Sequence, residues 1–301
     1  MSLDTVAIVG VGLIGGSIGL AIKERRLARR VIGVGRRQSS LRQARAVGAI
    51  DHGTLRLDRG VADAELTVFC TPVDMIADQA AEAAPHCVPG AVLTDSGSTK
   101  HGIVERLERS MPDGVCFVGS HPLAGSEKRG VDEARADLFD DRVCVVTQTP
   151  RTAAQPLATV QRFWRALGAR VITMSPESHD RALAYTSHLP HLAAAALSIV
   201  LPDGCRAVAA TGFRDTTRIA ASDPRLWSAI FLENADRLLE ALGGYEQALT
   251  QFRVALESRD ERHLLALWAE SKEKREAIAD DCNGGTTKHT KVTKKKREKK
   301  V

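Results

Sequence analysis

Three spaced glycines, Gly10-Val11-Gly12-Leu13-Ile14-Gly15, constrain this chain more than any other feature, because they follow the apolar run Val6–Val9 and precede a helix-like segment. A strand that turns through such glycines into a helix builds a cradle for a dinucleotide pyrophosphate. Gly10 permits the tight turn, Gly12 lets backbone approach phosphate, and Gly15 lets the helix pack on the strand. The helix N-terminus adds free N–H donors and the positive end of its dipole, with Leu13 and Ile14 in the first turn. A glycine-rich surface turn would share the spacing but not the strand in front of it.

The chain has 301 residues, of which 44% are hydrophobic, 26% charged and 4% aromatic, enough for two globular domains and a sizeable core. No apolar run reaches membrane-spanning length, and the opening Met-Ser-Leu-Asp lacks the basic and apolar regions of a secretory leader, so a cytoplasmic protein is expected. Six scattered cysteines form no C-x-x-C pair, and neither a disulfide framework nor a zinc site is expected. The net charge of +5 belongs to the end of the chain, where eight basic residues between Lys288 and Lys300 face only Glu298. That stretch reads as a disordered, solvated tail or as a tether for an anionic surface. No aromatic residue interleaves its lysines to stack on bases, so nucleic-acid binding beyond nonspecific contact is not expected.

Short apolar strands alternate with helical patterns through the first half, the signature of an α/β fold with a doubly wound parallel sheet. Strands are expected near 5–9, 30–35, 66–70, 91–95, 115–119, 142–147 and 170–174, with helices near 17–26, 74–84 and 155–167. Ser175-Pro176, a capping serine before an N1 proline, then announces a change to helices alone, and Asp223-Pro224 repeats the device. Three parts follow: a Rossmann-type domain over 1–175, an all-helical substrate and dimerisation domain over 176–281, and the basic tail over 282–301. Helices expected at 224–242 and 245–258 carry more apolar residues than about 100 residues can bury alone, which points to a homodimer.

In a doubly wound fold, ligands meet the carboxyl ends of the strands, so three loops are read together. These are Thr71-Pro72-Val73, Asp95 to Lys100 with Ser98, and Ser120 to Lys128 with His121, Ser126 and Glu127. His121 follows a strand, and an ordinary imidazole pKa near 6.5 suits proton transfer. Further on, His179, His188 and His191 cluster in sequence with Asp180. His188 and His191 stand one helical turn apart, which suits pocket lining, core packing or half of a metal site whose third ligand is not evident. Gly212-Phe213-Arg214-Asp215-Thr216-Thr217-Arg218 reads as a polar stretch between helices that offers guanidinium groups for a carboxylate, although Arg214 and Asp215 could equally form a surface ion pair.

Cofactor preference is read at the end of the second strand, where an acidic residue holds the ribose 2′-hydroxyl of NAD and an arginine accommodates a 2′-phosphate. Here the sequence is Gly35-Arg36-Arg37-Gln38-Ser39, without a carboxylate. Arg36, Arg37 and Ser39 therefore favour NADP over NAD, the other reading being surface arginines.

Together, Gly-Leu-Ile-Gly-Gly-Ser at 12–17, Cys-Thr-Pro-Val at 70–73, Thr-Asp-Ser-Gly-Ser-Thr-Lys at 94–100 and Ser-His-Pro-Leu-Ala-Gly-Ser-Glu-Lys at 120–128 resemble the prephenate/arogenate (cyclohexadienyl) dehydrogenase family. Ser-His-Leu-Pro-His at 187–191 and Gly-Phe-Arg-Asp-Thr-Thr-Arg at 212–218 extend the resemblance over residues 1–281. It implies NAD(P)-dependent oxidative decarboxylation of prephenate or arogenate to 4-hydroxyphenylpyruvate or tyrosine, in tyrosine biosynthesis. On that resemblance His121 matches the catalytic histidine, Ser98 a residue hydrogen-bonding near the reacting centre, and Arg218 the arginine that grips a substrate carboxylate. Ser126, Glu127, His179, His188 and His191 fall in stretches that line the family's pocket, and no metal is implied.

Two other readings compete. A β-hydroxyacid dehydrogenase shares the architecture but needs a catalytic lysine in the helical part, where the helix around His191 to Leu197 offers none. A non-catalytic nucleotide-sensing protein would leave His121 and Arg218 without a task.

Overall fold

The computed structural model describes residues 3–125 and 130–283. Its nine strands are β1 (Leu3–Val9), β2 (Ala28–Val34), β3 (His52–Thr54), β4 (Leu66–Phe69), β5 (Val92–Asp95), β6 (Cys116–Val118), β7 (Ser120–Pro122), β8 (Val143–Thr147) and β9 (Arg170–Met174). The helices are α1 (Leu13–Glu24), α2 (Gln38–Ala46), α3 (Leu57–Val61), α4 (Val73–Ala83), α5 (His101–Ser110), α6 (Ala154–Ala166), α7 (Pro176–Leu183), α8 (Leu189–Ile199), α9 (Thr211–Thr217), α10 (Pro224–Glu233), α11 (Ala235–Glu257) and α12 (Glu261–Asn283). The chain divides into two units, Met1–Ala241 and Leu242–Val301.

Six strands form a parallel sheet in the order β3-β2-β1-β4-β5-β6, the reversal of direction at β1 and β4 that marks a doubly wound fold. Side chains alternate along a strand, so successive residues of β1 serve opposite layers. Val6 and Ile8 pack with Ile18 and Ile22 of α1 and with Phe163 and Trp164 of α6. Ala7 and Val9 pack with Ile76 of α4 and Ile103 and Leu107 of α5. Both faces are thus covered, as an all-parallel sheet requires.

The later strands depart from the expectation of one continuous sheet. After β6 the chain crosses Gly119 and enters β7, which pairs antiparallel with β8, and β8 pairs parallel with β9 in a separate three-stranded sheet. Pro122 cannot donate a ladder hydrogen bond, and β7 is accordingly an edge strand. The run expected as one strand over 115–119 therefore ends at Val118, with His121 inside the next strand. β3 escapes a hydrophobicity reading because His52-Gly53-Thr54 is not apolar and is largely exposed.

From Ser175 to Asn283 no strand occurs among the described residues. Ser175 Oγ accepts from the Ser178 N–H, and the Asp223 carboxylate accepts from the N–H groups of Arg225 and Leu226, each ahead of an N1 proline. The helix expected over 224–242 breaks at Asn234, and α11 runs on through Gly243-Gly244 into the stretch expected as a separate helix over 245–258. Tertiary bonding decides this: the buried Asn234 Nδ2 donates to the Asp180 carbonyl at 2.8 Å and to His188 Nδ1 at 3.1 Å. Residues 211–217 also form a helix, α9, rather than an irregular polar stretch. In the unit that begins at Leu242, Phe252 and Trp268 meet edge to face, and Leu256, Leu265 and Trp268 remain more than half exposed. No described helix is long and apolar enough to cross a membrane.

Candidate active site

The glycine loop joins β1 to α1 at the carboxyl edge of the large sheet. Gly10 has φ +94°, and a Cβ there would sit 2.8 Å from the Cys70 carbonyl oxygen. A Cβ on Gly15 would lie 2.1 Å from the Gly10 carbonyl oxygen, so only glycine allows this approach of helix to loop. Gly12 is different: nothing lies within 4 Å of a Cβ there. Its N-cap position carries no side-chain hydrogen bond, and the first turn of α1 holds no acidic residue. Backbone N–H groups thus face open space with the helix dipole behind them, which fits a bound pyrophosphate.

That space is a cavity of about 950 Å³ lined by Gly10, Gly12, Arg36, Arg37, Thr71 and Pro72, as well as Arg56, Asp58 and Gln79. Leu13 and Ile14 instead pack against the core, and Ser40 rather than Ser39 lines the cavity, because α2 begins at Gln38 and turns Ser39 outward. Asp58, a carboxylate absent from the sequence reading, is held by Arg56 at 3.1 Å through Nε and 2.5 Å through Nη2. Those bonds to Arg56 hold the Asp58 carboxyl below its ordinary range.

A second cavity, of about 670 Å³, brings together groups far apart in sequence. Ser98 reaches it from the loop after β5, His121 from β7, His191 from α8, and Arg218 from the short 3₁₀ turn Arg218–Ala221. Thr186 and Ser187 reach it from the π-helical turn Ala184–His188. Pro190 explains that wide turn, since it has no N–H to give the carbonyl four residues back. Leu183, Leu226 and Trp227 close the apolar wall. The His191 ring stacks on Trp227 with centroids 3.5 Å apart and its Nδ1 donates to the Ser187 carbonyl at 2.9 Å.

Two of the expected pocket histidines lie behind this wall. His179 and His188 are buried and absent from the cavity lining, because the first hydrogen-bonds to His121 and the second to Asn234. The bond to Asn234 occupies His188 Nδ1 and that to the Ser187 carbonyl occupies His191 Nδ1, while His188 Nε2 is buried without a hydrogen-bond partner. Ser126 and Glu127 lie outside the described residues. Arg214 is exposed on α9 and does not line the cavity.

Beneath the cavity floor, the fully buried Asp95 and Lys100 form an ion pair. Asp95 also accepts from the Gly97 N–H at 2.8 Å and the Ser120 N–H at 2.9 Å, tying the loop that carries Ser98 to the strand that carries His121. Ser120 Oγ donates to the Asp95 carbonyl at 2.5 Å and accepts from Trp164 Nε1 at 2.8 Å. Every polar group here has a partner, the condition under which a buried charge pair is tolerated.

His121 departs from the ordinary imidazole expected of it. Burial, followed by the nearby His179, Lys100 and His188, pushes its pKa well below 6.5. Burial likewise lowers His179 and His191, and takes His188 down to about 4. His121 is therefore neutral at physiological pH and able to accept a proton from a hydroxyl in the cavity. Lys100, Asp95 and Asn234 are the supporting residues that sequence reasoning missed. Lys100 and Asp95 stand in a motif it quoted, whereas Asn234 carries no sequence signal.

Family comparisons agree with this architecture. Residues 18–173 match the model of the prephenate dehydrogenase nucleotide-binding domain, and residues 175–270 that of the prephenate dehydrogenase dimerization domain. The chain belongs to the prephenate dehydrogenase family. It is 37% identical over 284 residues to the cyclohexadienyl dehydrogenase of Zymomonas mobilis, covering 92% of this chain and 96% of that one. Among solved structures, prephenate dehydrogenase from Aquifex aeolicus, in complex with hydroxyphenyl propionate and NAD+, superposes with a TM-score of 0.86 at 32% identity, covering 92% and 99% of the two chains. Synechocystis arogenate dehydrogenase gives 0.78 at 31% identity, covering 91% and 99%. As a member of this family the chain is an NAD(P)-dependent oxidoreductase with a Rossmann-type nucleotide-binding domain, and the β-hydroxyacid dehydrogenase and nucleotide-sensor readings fall away.

Proposed function

We propose that this enzyme oxidatively decarboxylates prephenate or arogenate, with His121 as the base and Arg218 as the carboxylate clamp. A single observation carries the residue assignment: one cavity is lined by His121, Ser98 and Arg218 although they come from three separate elements. A bound nicotinamide supplies the hydride acceptor for C4 of the substrate ring. His121 takes the proton of the ring hydroxyl as the C4–H bond breaks, and Ser98 hydrogen-bonds near that centre. The bond from the ring to its carboxylate then breaks, CO2 departs, and the electron pair left behind completes the aromatic ring. Arg218 offers two parallel N–H donors to a substrate carboxylate, a geometry that a lysine would not reproduce. His191, held on Trp227, faces the same substrate.

For the cofactor, Gly10, Gly12 and Gly15 form the cradle, Thr71 and Pro72 its far wall, and Arg36 and Arg37 the adenosine end. The cavity has three arginines against two carboxylates, Asp58 and Glu82, and Asp58 is already committed to Arg56. This charge balance favours NADP. Residues 1–175 serve the cofactor, 176–281 supply the substrate pocket and a homodimer contact, and the basic tail from 282 takes no part in the chemistry. A freely exchanging cofactor of this kind suits a cytoplasmic setting.

Steady-state assays of prephenate and arogenate, each with NAD and NADP, test the reading. Turnover of at least one substrate is expected, with the lower KM for NADP. A clear preference for NAD would refute the cofactor assignment, and no turnover of either substrate would refute the function.

A further inference from the structure

Behind His121 runs a chain of buried hydrogen bonds that the cavity lining does not include. His121 Nδ1 lies 2.9 Å from His179 Nε2, and His179 Nδ1 lies 2.7 Å from Asp180 Oδ1. The carboxylate of Asp180 is anchored on the first turn of α5, accepting the Lys100 N–H at 2.7 Å on Oδ1 and the His101 N–H at 2.8 Å on Oδ2. His179 and Asp180 are buried, and Asn234 Nδ2 holds the Asp180 carbonyl from the other side.

Donor and acceptor roles along this chain follow from one end. Asp180 is a carboxylate: burial alone would raise its pKa, but the bonds from His179 and the two backbone N–H groups outweigh that and lower it. The helix N-terminus favours the negative charge for the same reason. A carboxylate only accepts, so His179 carries its proton on Nδ1 and presents a bare Nε2. That bare nitrogen can only accept in turn, so His121 must donate from Nδ1. We infer that His179 and Asp180 are positioning residues that lock His121 as the Nδ1–H tautomer, leaving Nε2 as the lone pair that takes the substrate proton. The inference rests on the reading of His121 as the base, and it assigns to His179 a role other than contact with substrate. In hydrolytic triads the same logic holds a histidine in the required tautomer, and replacing the aspartate by asparagine there lowers turnover about 10⁴-fold.

Histidine-selective ¹⁵N NMR on the full-length enzyme tests the tautomers without any turnover, with signals assigned by their loss in His121→Asn and His179→Gln. Both rings are expected to show a protonated Nδ1 and an unprotonated Nε2. Kinetics supply the second arm. Asp180→Asn, whose amide can donate to His179 and reverse the chain, is expected to lower kcat about 10²- to 10⁴-fold while KM for substrate and cofactor stays within about threefold. His179→Gln keeps an acceptor for His121 and should retain kcat within about tenfold, whereas His179→Leu should fall with Asp180→Asn. A wild-type His121 protonated on Nε2, or a folded Asp180→Asn enzyme with normal kcat, overturns the inference. Absence of wild-type turnover on prephenate and arogenate would overturn the proposed function instead, and the NMR result would still decide the tautomer.

Discussion

The two cavities of this molecule are built on opposite plans. The glycine-lined cavity has at its centre the backbone of one contiguous hexapeptide, with N–H donors at the start of α1, and side chains such as Arg36, Arg37, Thr71 and Gln79 stand around it. The other is shaped by side chains from β7, α8, the turn at Arg218 and the loop after β5, supported by a buried network of ionisable groups. A backbone cradle needs only local geometry and tolerates a variable surround. A side-chain cavity functions only if distant elements are held in register, so its chemistry and its stability are coupled.

The contrast can be broken most severely at the proposed base. His121→Asn is expected to lower kcat about 10²- to 10⁴-fold with cofactor binding unchanged, measured by steady-state kinetics beside cofactor titration. If cofactor affinity falls as much as kcat, the two cavities are not separate in function.

Acid provides the next test, because the buried histidines among the described residues, His121, His179 and His188, all lie in or behind the side-chain cavity, with the partly buried His191 in its lining. His121, His179, His188 and His191 all have folded-state pKa values below the ordinary 6.5. Between those folded values and about 6.5 the unfolded chain binds more protons, so the stability these groups contribute is present above about pH 6.5 and is lost as pH falls. With His188 at about 4, that residue alone accounts for a loss on the order of 3 kcal/mol. Denaturant unfolding at pH 7 and pH 4.5 should show the decline. Replacing His188 with Asn should flatten it, and an unchanged slope would remove His188 from the account.

Arg218→Ala should raise KM for the substrate about 10- to 100-fold, the value of a lost charge-assisted pair, while kcat changes less. An unchanged KM would take Arg218 out of the site. The smallest effects separate the glycines. Gly15→Ala places a Cβ 2.1 Å from the Gly10 carbonyl oxygen and should cost about 1–3 kcal/mol of stability. Gly12→Ala meets nothing within 4 Å and should leave the melting temperature unchanged while weakening cofactor binding about tenfold. Equal melting shifts for the two would show that the open space at Gly12 is not the cofactor's.

Legibility followed the same division. The alternation of β1, the fingerprint glycines and the two cap-and-proline helix starts are local signals, and each was readable because the residues that cause the structure adjoin one another. The break at Asn234, the π-helical turn and the crossing from β6 into a second sheet were not readable. Asn234 stops a helix through bonds to Asp180 and His188, residues more than forty positions away. His179 and His188 stand near each other in the sequence, but sequence spacing does not tell a side chain that lines a cavity from one standing behind its wall.

The sequence by itself determined a doubly wound sheet with a dinucleotide cradle, helices after Ser175, and membership in a family of dehydrogenases. The sheet, the cradle and the helices follow from periodicity and from the backbone demands of glycine and proline, which act over a few residues, whereas the family membership follows from the resemblance of whole motifs. Only the tertiary structure decided that His121 leaves the main sheet on an edge strand, that His179 backs it rather than the substrate, and that Arg218 meets it across one cavity. Those outcomes depend on burial and hydrogen bonding between segments tens of residues apart, where each group's role is fixed by its partner and not by its neighbours in the chain.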